Sequence, residues 1–140
     1  MNRRSLAAVI LVAALSLSLA ACEGGYTEFG KQASSRQDGR GGEETVKISK
    51  ANGTATQSIE LKDETSVLMD VDVTLSVGKG SYKIELLGRN EQVTLALEAR
   101  DGKTVTGRGQ MAADAFGDAD YRVTAVEAEN VAYTLKYTFR

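Results

Sequence analysis

The stretch Val67-Leu68-Met69-Asp70-Val71-Asp72-Val73-Thr74-Leu75-Ser76-Val77 decides the fold class. Every odd position is apolar. From Asp70 onward every even position is polar, and only Leu68 breaks the alternation. Successive side chains of a β-strand point to opposite faces, so this pattern predicts a strand with one face in a core and the other in water.

The same rhythm recurs downstream. Val131, Tyr133, Leu135, Tyr137 and Phe139 share one face, with Thr134, Lys136 and Thr138 on the other. Residues 81–87 place Tyr82, Ile84 and Leu86 inward, and residues 92–100 do the same with Val93, Leu95, Leu97 and Ala99. Strands are also expected at 45–51, 54–61, 103–111 and 121–127, about eight in all. Turn signals separate them. Asn52-Gly53 and Asp101-Gly102 suit two-residue hairpins, and Gly78-Lys79-Gly80 and Gly88-Arg89-Asn90 read as loops. Gly107 and Gly109 inside a strand pattern suggest a bulge or tight bend. The one helical candidate is the Ala-rich piece 110–116. Residues 45–140 are therefore expected to form a small all-β domain, an antiparallel sandwich, with a small closed barrel as the alternative. Gly78-Lys79-Gly80-Ser81-Tyr82 ahead of an alternating strand resembles jelly-roll domains appended to secreted bacterial enzymes. The four tyrosines Tyr82, Tyr121, Tyr133 and Tyr137 fall on inward faces and are expected in the core.

Upstream the composition changes. Met1-Asn2-Arg3-Arg4-Ser5 is short and positive, Leu6 to Ala20 is apolar apart from Ser16 and Ser18, and small residues follow. This is the build of a secretory signal peptide, too short for a spanning helix. Leu19-Ala20-Ala21-Cys22 closes it and resembles the lipobox of bacterial lipoproteins. That resemblance implies diacylglycerol on the Cys22 thiol and cleavage between Ala21 and Cys22. It implies membrane lipid as a partner and a lipid-anchored location on the extracytoplasmic face of the cell membrane or outer membrane. Ordinary secretion, with cleavage after Ala20 and a free thiol, is the alternative. Glu23 departs from the aspartate that marks inner-membrane retention in some Gram-negative lipoproteins.

Residues 22–44 then read as a tether. They hold Gly24, Gly25, Gly30, Gly39, Gly41 and Gly42 with many polar residues and no sustained period. A flexible segment of that length has a root-mean-square reach of roughly 25 Å. Tyr26 and Phe29 are expected to be incidental there or to pack loosely on the domain.

Composition restricts the chemistry. There are 17 basic and 19 acidic residues, and setting aside Arg3 and Arg4 leaves the rest at −4. That balance speaks against nucleic acid, which needs clustered Lys and Arg. The chain has no histidine and a single cysteine, which leaves no Ser-His-Asp or Cys-His set and no disulfide within it. A carboxylate pair remains conceivable. Asp70 and Asp72 share the outer face of one strand, where a solvated face is the plainer reading. Asp114, Asp118 and Asp120 surround Gly117 in a second acidic group, a candidate calcium loop or an acidic surface loop. Phe116 in that loop either contacts a partner or caps the core. The functional expectation is a non-catalytic binding or structural module of the envelope, its partner a protein or a polymer. An inhibitor of a secreted enzyme such as a lysozyme, and a carboxylate-based hydrolase, are the alternatives.

Overall fold

The computed structural model describes residues 25–140. The leader, the lipobox and Cys22 lie outside them. The alternating run that opens the pattern is the first half of a strand of 20 residues. Met69, Val71, Val73, Leu75 and Val77 are all buried, as their spacing requires.

The chain forms β1 (Thr27–Phe29), β2 (Gln32–Asp38), β3 (Gly41–Glu60), β4 (Leu68–Leu87), β5 (Val93–Arg100), β6 (Lys103–Ala112) and β7 (Asp118–Phe139), with a single 3-10 turn at Arg89–Glu91. All the ladders between these strands are antiparallel. At the centre β7 pairs with β3 on one side and β4 on the other. The outer edge of β3 carries β2 along 41–47 and β1 along 50–52. The outer edge of β4 carries β6 along 68–77 and β5 along 81–87.

The three long strands bend at one level, because β7 holds an extra residue there. Between Ala125 and Ala128 it advances three residues while β3 advances two, from Gly53 to Ala51. Against β4 the same step separates Lys79 from Ser81. A bulge of this kind kinks its strand and increases the local twist. Placed in the central strand, it folds the whole sheet over. One layer consists of 41–50, 129–139 and 68–77 with β2 and β6. The other consists of 53–60, 118–125 and 81–87 with β5.

The layers face each other across an apolar core. Tyr82 of one layer stacks on Tyr133 of the other, with ring centroids 5.9 Å apart and planes at 25°. Tyr121 meets Tyr133 edge-on at 6.1 Å and 79°. No ladder among the described residues joins β2 to β6, or β3 to β5, so the sheet is a folded sandwich and not a closed barrel.

Several local expectations are corrected. Asn52-Gly53 and Gly78-Lys79-Gly80 do not end strands but lie at the bend inside β3 and β4. Six of the eight expected strands merge in pairs, into β3, β4 and β7, while those at 92–100 and 103–111 stay separate as β5 and β6. Gly107 and Gly109 mark no bulge, since both keep regular register with Val73 and Val71. Gly109 is there for close approach, because a Cβ would stand 2.7 Å from that of Leu95 in the facing layer. The piece 110–116 is not helical: β6 runs to Ala112 and a turn follows. From Gly25 on, the expected tether is sheet. Its backbone pairs with the edge of β3, and β2 shows no apolar period because nearly all of it faces water.

Candidate functional site

The end of the sandwich away from the bend gathers the loops 61–67, 88–92 and 113–117. The last of these, the β6–β7 turn, is held from three sides. Asp114 Oδ1 accepts the backbone N–H of Phe116 at 2.8 Å and of Asp118 at 3.0 Å. The neighbouring loop ties it down, with Ser66 N–H donating to the Asp114 carbonyl at 2.9 Å and Leu61 N–H to the Gly117 carbonyl at 2.8 Å. The N–H groups of Asp118 and Phe116 stabilise the anion and hold the Asp114 carboxyl below the usual carboxylate range.

This lock leaves Phe116 pointing out, 88% exposed. Of its two sequence readings, capping the core is excluded. The same turn walls a cleft of about 430 Å³ whose polar lining includes Arg89, Asn90, Glu91, Asp114, Asp118 and Asp120. The three aspartates thus border one space, but their oxygens are already engaged in part. Asp114 serves the turn, and Asp120 Oδ1 accepts the Ser58 hydroxyl at 2.6 Å. Among the described residues no group of three or more carboxylate, cysteine or histidine side chains is disposed to hold a metal ion.

Asp70 and Asp72 stand on the outer face of β4, each facing an arginine. Arg108 grips Asp72 with two N–H groups, at 2.7 and 3.1 Å, and Arg140 reaches Asp70 at 3.1 Å. The Arg108 guanidinium holds the Asp72 carboxyl below its ordinary value, the opposite of what a general acid needs. The pair does the work of cross-strand ion pairing.

No family model matches the chain, and no curated protein matches it. Solved structures do resemble it in fold. A xylan-binding domain from Paenibacillus barcinonensis superposes with a TM-score of 0.38 at 14% identity, over 82% of this chain and 84% of that one. A carbohydrate-binding module of a Cellvibrio mixtus lichenase, in complex with cellotriose, gives 0.31 at 15% identity, over 81% and 87%. Bacillus endospore appendages, which form disulfide-linked pili, give 0.42 at 11% identity, over 81% and 95%. These likenesses concern the fold alone.

Sequence reasoning missed a second surface at the bend. Phe29, 74% exposed, lines a groove of about 320 Å³ with Lys50, Ala51, Asn52, Glu127, Ala128 and Glu129. The groove exists because β1 pairs across the bend, which a Gly-rich polar stretch does not announce. Two aromatics in such a stretch were the available signal. Tyr26, the other one, turns inward, its hydroxyl 3.3 Å from that of Tyr82.

The buried tyrosines form a hydroxyl cluster that reaches one half-buried carboxylate, Glu44. The Tyr121 hydroxyl donates to Glu44 at 3.3 Å and lies 2.9 Å from that of Tyr133. Burial pushes the Tyr82 phenol up to about 12 and raises Tyr121 and Tyr133 as well. Burial also raises Glu44, opposed by the Tyr121 hydrogen bond and by Lys31. A carboxyl raised in the folded state contributes stability below its unfolded value and loses it as pH climbs through the folded value. Glu44→Gln keeps an acceptor for Tyr121 and removes the half-buried charge. Because Glu44 is only half-buried, a modest rise in melting temperature is expected at pH 7 and almost none at pH 3.5. Equal shifts at both pH values, by calorimetry, would contradict this account.

Proposed function

We propose that this chain is a bacterial lipoprotein, exported by residues 1–21 and anchored by acyl chains on Cys22. Its β-sandwich is a non-catalytic module that binds a polysaccharide of the cell envelope. The lipobox Leu19-Ala20-Ala21-Cys22 supports the anchor. The observation that carries the binding role is Phe116, a large apolar side chain held out in water on a turn whose backbone is tied by hydrogen bonds to Asp114 and to the neighbouring loop. Ordering a loop costs entropy on binding, and here the backbone that carries Phe116 is already ordered on folding. A flat aromatic face suits the C–H face of a sugar ring. The carboxylates and the Asn90 amide in the adjoining cleft suit its hydroxyls.

The test uses the mature chain with Cys22→Ser, sedimented with purified envelope polysaccharide. Co-sedimentation is expected, and Phe116→Ala should weaken it by about tenfold or more, the effect of losing a binding hot spot. Equal sedimentation of the two chains would end the reading. So would crosslinking in cells that yields only protein adducts. The anchor is tested separately, since labelled palmitate incorporation should vanish with Cys22→Ser.

A further inference from the structure

The start of the sheet lies very close to the lipidation site in the sequence. Gly25 already bridges to Thr54, and a Cβ on Gly53 would come within 2.7 Å of the Gly25 carbonyl oxygen. Tyr26 is fixed one residue later by its contact with Tyr82. Only Glu23 and Gly24 separate Gly25 from Cys22. Three residue steps of fully extended chain span at most about 11 Å. A diacylglyceryl-cysteine sits at headgroup depth, and the polar zone of a bilayer leaflet is itself roughly 5–8 Å thick. The 25 Å of slack that composition alone suggests is absent.

The part of the domain brought down to that depth is the bend. Two of the four large exposed apolar side chains among the described residues stand there, Phe29 at 74% and Val126 at 57%. Val126 belongs to the bulge of β7, next to the groove that Phe29 lines. The surrounding charges are of both signs, with Lys50 and Lys79 set among Glu28, Glu127 and Glu129, so contact there would be apolar more than electrostatic. Phe116 lies in the turn just before β7, at the far end of its first half, roughly 25–30 Å from the bend by strand rise.

We infer that the bend is a membrane-seating surface: Phe29 and Val126 enter the interfacial zone of the bilayer, and the sandwich stands with its β6–β7 turn directed away from the lipid. This rests on acylation of Cys22, as proposed above. It assigns the two exposed phenylalanines different tasks, one at the lipid and one facing outward.

The chain has no tryptophan, so single reporters are clean. Phe29→Trp, Val126→Trp and Phe116→Trp are prepared in the acylated mature protein and reconstituted in phosphatidylcholine vesicles whose acyl chains are brominated near the glycerol. All three positions are exposed, which spares the core. Emission from positions 29 and 126 is expected to shift to the blue and fall by a third or more, while position 116 stays unchanged. Vesicle-bound protein with no quenching at 29 and 126, or with equal quenching at all three, overturns the seating. Flotation of the same samples reads the anchor. Protein that fails to float shows instead that acylation of Cys22 is wrong, and the seating falls with it.

Discussion

A Gly80→Ala chain is expected not to fold. Gly80 lies where β4 crosses the bulge of β7, with φ of +76°, a conformation that costs an L-residue roughly 1–2 kcal/mol. Space is the larger obstacle. A Cβ there would run into the carbonyl oxygens of Glu127 and Val126, which are backbone atoms of the central strand. Gly80 cannot retreat either, because its N–H donates to Asp101 Oδ1 at 2.8 Å and its carbonyl accepts from Asp101 N–H at 3.1 Å. Strain and clash together should exceed about 4 kcal/mol, a large part of the 5–15 kcal/mol that stabilises a domain. Gly78→Ala is the control. Its Cβ would stand 3.0 Å from that of Asn130 and 3.2 Å from the Glu129 carbonyl oxygen, tight contacts but without the overlap at Gly80, and its φ is not left-handed. Circular dichroism and amide dispersion should show Gly78→Ala folded and Gly80→Ala not. A Gly80→Ala chain that melts within a few degrees of the parent would refute the bulge as the origin of the bend.

Tyr133→Ala should cost about 3–5 kcal/mol, the usual loss for an aromatic removed from a core. For a domain of this size that is roughly 12–20 °C in melting temperature. Tyr133 is 2% exposed and joins the layers, with Tyr82 against its face and Tyr121 at its edge. Tyr133→Phe keeps the ring and removes only the hydroxyl. Tyr121 still has Glu44 as an acceptor at 3.3 Å, so the loss should be about 1 kcal/mol. Urea denaturation of the two variants separates packing from hydrogen bonding. Similar losses in both would mean that the hydroxyl chain, and not the stacked rings, holds the layers together.

The legible part of the fold was its local rhythm. Residues 67–77 and 131–139 place the expected side chains inward because burial on one face leaves a period-2 record in the sequence itself. All four tyrosines read as inward are buried. The bend was not legible. Asn52-Gly53 and Gly78-Lys79-Gly80 have the chemistry of turns, and a turn and a kinked strand use the same backbone angles. What separates them is an extra residue in β7, far along the chain. The first three residues of the Ala-rich piece 110–116 became strand because pairing with β4 overrides their weak helical preference. β2 was missed because an edge strand bathed on both faces needs no apolar residues.

The candidate sites divide in the same way. Phe116 was visible as a loop aromatic, but its outward orientation depends on hydrogen bonds from Ser66 and Leu61 in another loop. Asp70 and Asp72 looked available because their arginines lie 70 and 36 residues away in the chain.

The position of β7 has a kinetic consequence. It is the innermost strand and also the last of the seven to be synthesised. Until it arrives, the segments on either side, β1 to β3 and β4 to β6, each expose an unpaired inner edge and an apolar face with no cover. Neither half has a stable stopping point, so folding waits for β7 and is slow, since its pairings join distant residues. For a polypeptide threaded through a secretion pore, as proposed here, that delay is useful. On that proposal the sheet cannot lock before β7 has crossed.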